Sequence, residues 1–177
     1  MAIKDREVVT DSLGHVIPEE KLDKRVAELS EVKELLRLNQ DVILTADSNC
    51  DGKTTFAKIL RAEINNGYLN AFQECIYTEG PSVDLEYRIS NQRRTNKGLD
   101  IVSYRHLLAF NGLVIFDEVY PEHQPLIGTL RRSKHLLLVQ PNFLDGPPYD
   151  DTLHEDFDRW LNETQPPIYK LPRYNKV

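Results

Sequence analysis

The run Asp47-Ser48-Asn49-Cys50-Asp51-Gly52-Lys53-Thr54-Thr55 carries residue types whose spacing can hold a polyphosphate. Glycine lets the backbone turn tightly, lysine supplies a mobile point charge, and the threonine hydroxyl is a hard oxygen ligand for a divalent cation. With a strand before it and a helix after it, such a turn aims backbone N–H groups and a helix N-terminus at an anion. Lys53 would reach the β- and γ-phosphates of a nucleoside triphosphate, and Thr54 would sit on Mg²⁺. Asp47, Ser48, Asn49, Cys50, Asp51, Gly52 and Thr55 would form the cradle around them. The pattern G-x-x-x-x-G-K-[ST] asks for glycine at position 47, where this chain has Asp47. Aspartate tolerates a left-handed backbone but adds a negative charge beside the phosphates.

A second group of residues supplies the acid that such chemistry requires. In Leu113-Val114-Ile115-Phe116-Asp117-Glu118 four apolar residues run directly into two carboxylates. Phosphoryl transfer uses Mg²⁺ held between the loop hydroxyl and an acid at a strand end. Asp117 is the candidate for that position, or for taking the proton of an attacking hydroxyl. Glu118 is the second acid, able to position a water. Tyr120, three residues past Asp117, is the aromatic residue best placed to stack on a base. His15, His106, His123, His135 and His154 are scattered, without metal or triad spacing. Cys50 and Cys75 form no ligand spacing and no disulfide framework, and a reducing compartment is the default expectation. Cys50 inside the loop would make phosphate binding sensitive to oxidation if its thiol pKa were lowered.

The elements around these residues follow from apolar periodicity. Leu22, Val26, Leu29, Val32, Leu35 and Leu36 recur at helical spacing, predicting a helix over 18–38 that packs on a core. Residues 42–46 read as a strand and 54–65 as a helix closed by Asn66-Gly67. A short strand is expected at 74–77, a loop at 78–82, and a partly helical stretch over 83–95. A helix is expected over 99–110, a strand over 113–116, a helix over 121–132 and a strand over 135–139. A loop at 140–150 precedes a helix over 152–162, where Leu153, Phe157, Trp160 and Leu161 form the apolar face. A short strand at 168–171 ends the series. Strands alternating with helices predict an α/β fold with a parallel sheet wrapped on both sides, with ligands beyond the carboxyl ends of the strands. The Gly-Lys-Thr turn, Asp117 and the Gln140 loop all fall at such ends.

At 177 residues the chain suits one domain with a sizeable core. We divide it into an N-terminal arm and helix (1–39) packed on a core domain (40–177). The net charge of −6 opposes broad binding to nucleic acid or a membrane surface, which call for a basic face. No apolar stretch of leader or membrane-spanning kind occurs, and a cytoplasmic protein without membrane contact is expected.

On the two segments 49–55 and 114–117 the chain resembles the P-loop kinase superfamily, and within it the thymidylate-kinase-like nucleoside and nucleotide kinases, phage-encoded ones included. Asn49-Cys50-Asp51-Gly52-Lys53-Thr54-Thr55 is similar to the family's D-G-x-G-K-T-T, and Val114-Ile115-Phe116-Asp117 to the strand before its D-R motif. The resemblance implies a P-loop three-layer sandwich on a five-stranded, mostly parallel sheet. It implies ATP and Mg²⁺ as cofactors, and transfer of the γ-phosphoryl to a nucleoside, a nucleotide or a hydroxyl on modified DNA. It leaves room for a homodimer. Lys53, Asp117 and Glu118 would be catalytic, with Thr54 and Asp117 on the metal.

This chain departs from the family at three places. Asn49 stands where an Asp holds the acceptor sugar, and Glu118 stands where the family has Arg. The stretch 140–162 that matches an arginine-bearing lid is acidic, with Asp145, Asp150, Asp151, Glu155, Asp156 and Asp158 against Arg159. An acceptor bearing its own phosphate needs positive charge to hold it. Arg93 and Arg94 are the preferred candidates for that contact; Arg105 and the group Arg131, Arg132 and Lys134 are others. A nucleotide-binding protein without catalysis is the alternative of another class.

Overall fold

The computed structural model describes residues 16, 26–47, 52–65, 72–80, 98–144 and 152–172. Five short apolar runs in them form one sheet. They are β1 (Asp41–Thr45), β2 (Cys75–Glu79), β3 (Leu113–Val119), β4 (Lys134–Val139) and β5 (Ile168–Lys170). The spatial order is β2-β3-β4-β1-β5, and every pairing is parallel. The mostly parallel sheet expected from the sequence is thus wholly parallel among the described strands.

Helices cover both faces. On one face lie α1 (Val26–Leu38) and α2 (Lys53–Asn65), which pack Leu29, Val32, Leu36, Phe56, Leu60 and Ile64 against Val42, Leu44, Tyr77, Ile115 and Leu138. On the other lie α3 (Tyr104–Ala109), α4 (Gln124–Ile127) and α5 (Thr152–Thr164), which pack Leu107, Ile127 and Phe157 against Ile43, Ile76, Val114, Phe116 and Leu137. Burial from both sides is why β1, β3 and β4 read as continuous apolar runs rather than alternating ones. The step from β1 out to β2 uses α2 on the first face. The steps back through β3 and β4 to β5 use the second face. A single handedness of crossover requires that division.

Four boundaries differ from those expected. β2 does not stop at Tyr77: Thr78 and Glu79 continue it by pairing with Phe116 and Asp117. β3 likewise runs to Val119, so Asp117 and Glu118 lie within the strand rather than after it. The helix expected over 99–110 is only Tyr104–Ala109, with the Ser103 hydroxyl accepting from the His106 N–H at 3.2 Å. The residues before Ser103 are drawn to the sheet edge instead, where the Asp100 N–H donates to the Tyr77 carbonyl at 2.6 Å. The helix expected over 121–132 is a 3₁₀ turn (Pro121–His123) followed by α4, which ends at Gly128. Pro125 lacks the N–H that would bond to the Pro121 carbonyl in a continuous helix.

Of the acidic stretch 140–162, Pro141–Phe143 is a 3₁₀ turn and the residues from Thr152 on are α-helical. α5 is docked on the second face through Phe157, with Trp160 and Leu161 against the same core. No helix among the described residues is long and apolar enough to cross a membrane.

Candidate functional site

The turn after β1 and the bulge in β3 meet at the carboxyl edge of the sheet. Gly52 has φ +83°, a left-handed conformation that glycine adopts without strain. Its carbonyl accepts from the Phe56 N–H at 2.9 Å, so Gly52 caps the start of α2 and places Lys53 and Thr54 in the first turn. The positive end of the α2 dipole therefore faces the carboxyl edge. Lys53 is buried there.

Opposite that helix start, β3 carries one extra residue. Phe116 pairs with Leu137 and Val119 with Val139, so β3 advances three positions while β4 advances two. Bulges of this kind re-aim side chains at strand ends. Glu118 takes φ +52°, an unusual conformation for a residue with a side chain, and stores strain of about 1–2 kcal/mol at this point. The bulge lets the Glu118 N–H turn back onto the Asp117 carboxylate at 3.0 Å.

Asp117 is the centre of the arrangement. It is 3% exposed, and donors reach it from three elements. The Tyr77 hydroxyl on β2 donates to Oδ2 at 2.7 Å and the Glu118 N–H to Oδ1 at 3.0 Å. The Thr54 hydroxyl at the head of α2 lies 3.3 Å from Oδ2 and 3.5 Å from Oδ1. Burial first, and then the adjacent Asp117 charge, push the Tyr77 hydroxyl pKa well above its ordinary value, which favours the protonated, donating form. A hydroxyl and a carboxylate this close are two hard oxygen ligands. Mg²⁺ is held by one or two such protein ligands while water and substrate phosphates complete its shell. No group of three or more His, Cys, Asp or Glu fit to hold a metal occurs among the described residues. Thr54 and Asp117 are the residues that could hold Mg²⁺ arriving with phosphates.

The extra charge at position 47 has a partner. Asp47 forms an ion pair with Lys170 on β5, the strand that continues the sheet beside β1. The carboxylate that departs from the glycine pattern is thus neutralised locally. The pair is half-exposed, which makes it weak in stability terms.

Other expected residues lie elsewhere. Ser48, Asn49, Cys50 and Asp51, and the acceptor candidates Arg93 and Arg94, fall outside the described residues. Thr55 follows Thr54 on α2, half-buried. Tyr120 is at the carboxyl edge after β3, but its ring packs edge-on against His123 and Phe143 rather than standing open. Arg131, Arg132 and Lys134 precede or open β4, at the amino edge of the sheet. The Lys134 ammonium is bound to the Asn39 carbonyl at 2.9 Å. That places them at the wrong end to touch an acceptor at Asp117. Arg105 is exposed on α3.

Three features escaped the sequence reading. Tyr77 carries no motif, and only the parallel pairing of Glu79 with Asp117 brings its ring to that carboxylate. His123 stands against Gly80, where a β-carbon would come within 1.9 Å of Nδ1, and that nitrogen accepts the Tyr120 N–H at 3.1 Å. Finally, His135, read as isolated, is at the amino edge between Asp41 and Ser133. Nδ1 is 2.6 Å from Asp41 Oδ1 and Nε2 is 2.9 Å from Ser133 Oγ. Asp41 and His135 are register partners on adjacent strands, a relation that sequence separation conceals. Cys75 is buried, and burial pushes its thiol up to about 12, so it is an inert core residue.

No protein-family model matches this chain, and no curated protein matches it.

Proposed function

We propose that this chain is an ATP- and Mg²⁺-dependent phosphotransferase, a P-loop kinase that passes the γ-phosphoryl to a nucleoside, a nucleotide or a related acceptor. The observation that carries the reading is the meeting of Thr54 and Asp117 at 3.3 Å, beside Lys53 at the head of a helix. Two segments 63 positions apart bring together the residues that phosphoryl transfer calls for.

The roles follow from burial. Lys53 and the loop amides would hold the β- and γ-phosphates. Thr54 and Asp117 would hold Mg²⁺, which when bound offsets the charge that develops on the transferring oxygens. Thr54 can keep its hydrogen on Asp117 and offer its lone pairs outward. Asp117, enclosed by donors, suits the metal rather than the acceptor. Glu118, half-buried at the bulge, is the acid left to take the proton of an acceptor hydroxyl as its oxygen attacks the γ-phosphorus and ADP departs. The arginines at the amino edge take no part. With the stretch 140–162 acidic, an acceptor hydroxyl on an uncharged sugar or base is the first class to test, with monophosphates, which Arg93 and Arg94 would have to hold, and hydroxymethylated DNA after it.

Titration of ATP with Mg²⁺ into the wild type and Lys53→Ala tests the binding. We expect micromolar affinity in the first and at least a hundredfold loss in the second, about 2.7 kcal/mol. Labelled ATP is then offered to nucleosides, monophosphates and DNA. Binding in neither protein overturns the reading. Tight binding with transfer to no acceptor replaces it by a nucleotide-dependent docking protein.

A further inference from the structure

Tyr77 is fully buried, and phenylalanine would fill the same space without a polar atom to satisfy. A buried hydroxyl carries a cost of desolvation unless it finds a partner. The partner here is Asp117 Oδ2, at 2.7 Å. With Oδ1 held by the Glu118 N–H, both oxygens of the carboxylate have donors from the sheet, and the group cannot turn about its own axis. Thr54 consequently faces a carboxylate of fixed orientation.

The Tyr77 backbone is fixed as well. Among the described strands β2 is at the edge of the sheet, beside β3. On its open side Asp100 takes both peptide groups of Tyr77: Oδ2 accepts the Tyr77 N–H at 2.9 Å, and the Asp100 N–H donates to the Tyr77 carbonyl at 2.6 Å. Asp100 Oδ1 in turn accepts from Arg61 Nη2 at 2.7 Å, while Arg61 Nη1 donates to the Gly98 carbonyl at 2.9 Å. Arg61 is two turns along α2 from Thr54. A closed circuit therefore runs from α2 through Arg61, Asp100, Tyr77 and Asp117 back to α2 at Thr54.

We infer that Tyr77 is a positioning residue for the Mg²⁺-binding carboxylate Asp117, and that the Arg61–Asp100 clasp sets its distance from the helix that carries Thr54. The inference rests on the phosphotransferase reading above and names a residue that reading does not use. Mg²⁺ demands near-ideal octahedral geometry, so a carboxylate free to rotate holds it less well. Partners that orient a metal's ligands typically contribute ten- to a hundredfold in metal affinity. Edge-strand closure and satisfaction of a buried hydroxyl would explain the same contacts without any bearing on the metal, and the test must separate the two.

The test compares ATP affinity with Mg²⁺ and with EDTA in the full-length wild type and in Tyr77→Phe. The ratio of the two affinities is the enhancement due to the metal. We expect equal affinities in EDTA and an enhancement about tenfold smaller in the variant. Where the variant fails to fold, 3-fluorotyrosine at position 77 in the otherwise unaltered chain decides: its ¹⁹F line should shift between ATP alone and ATP with Mg²⁺. An unchanged enhancement in Tyr77→Phe, or a ¹⁹F line blind to Mg²⁺, overturns the positioning role and leaves nucleotide binding intact. A wild type with no enhancement by Mg²⁺ overturns both readings.

Discussion

Each end of the sheet holds a hydrogen-bonded carboxylate, on opposite faces, and the two have different surroundings. At the amino edge Asp41, His135 and Ser133 form a chain whose geometry is that of a nucleophilic triad. Ser133 and His135 are 2% and 1% exposed, and Gln40 spans the loop beside them by donating to the Leu130 and Ser133 carbonyls. Both ring nitrogens of His135 are used, and the hydroxyl has no open side from which to attack. At the carboxyl edge Asp117 is more deeply buried than the half-buried Asp41, but its contact to Thr54, at 3.3–3.5 Å, is at the long limit of a hydrogen bond. A helix begins beside it, with Lys53 buried in the first turn. A saturated network locks strand register. A network with one loose contact beside a helix start is where we propose that a ligand binds. The order of residues in space does not decide between these outcomes; the length of the contacts does.

The difference can be broken by mutation at the closed edge. His135→Ala leaves a cavity beside Phe116, whose ring centroid lies 5.9 Å from that of His135, and strands the Asp41 carboxylate and the Ser133 hydroxyl. We expect a loss of about 3 kcal/mol in denaturant unfolding, with ATP affinity of the folded fraction unchanged. A fall in ATP affinity at full folding would show that the two edges are coupled and that the contrast is wrong.

A smaller effect is expected from Gly80→Ala at the other edge. The new β-carbon would meet the His123 ring at 1.9 Å, and that ring is tied by the Tyr120 N–H. Its displacement should cost about 2 kcal/mol, as overpacking commonly does. The Gly80 N–H also donates to the Asp117 carbonyl at 3.2 Å, so the shift should reach ATP affinity where His135→Ala does not. A variant that loses stability and keeps ATP affinity would move Gly80 to the purely structural side.

Most of the layer architecture was legible because burial on both faces leaves uninterrupted apolar runs such as Leu113–Phe116 in the sequence. Gly52, Lys53, Thr54 and Asp117 could be singled out because the roles proposed for them depend on residue type and a strand–turn–helix context. Tyr77, Asp100 and Arg61 could not, since their roles depend on which strands are neighbours and in what register. The order β2-β3-β4-β1-β5 is a property of crossovers, not of local pattern. The bulge at Glu118 was hidden for a related reason: it shows only against the partner strand. α3 and α4 are shorter than apolar spacing predicts because Pro125 and the Asp100 contact to Tyr77 compete with helix.

The smallest effect concerns pH at the carboxyl edge. Burial against Gly80 lowers the His123 pKa below the usual 6.5, with Glu122 opposing that shift in part. In the unfolded chain the same imidazole takes up a proton near 6.5, so below that value the unfolded state binds more protons than the folded one. Stability is therefore fully present above about pH 7 and is lost as pH falls through 6.5 toward the depressed folded value. His123→Asn keeps an acceptor for the Tyr120 N–H and cannot be protonated. Its melting temperature should fall less than that of the wild type between about pH 7.5 and pH 5.5. Equal falls in both proteins would mean that the ring is solvated when folded, and that the carboxyl edge is looser around Gly80 than its packing indicates.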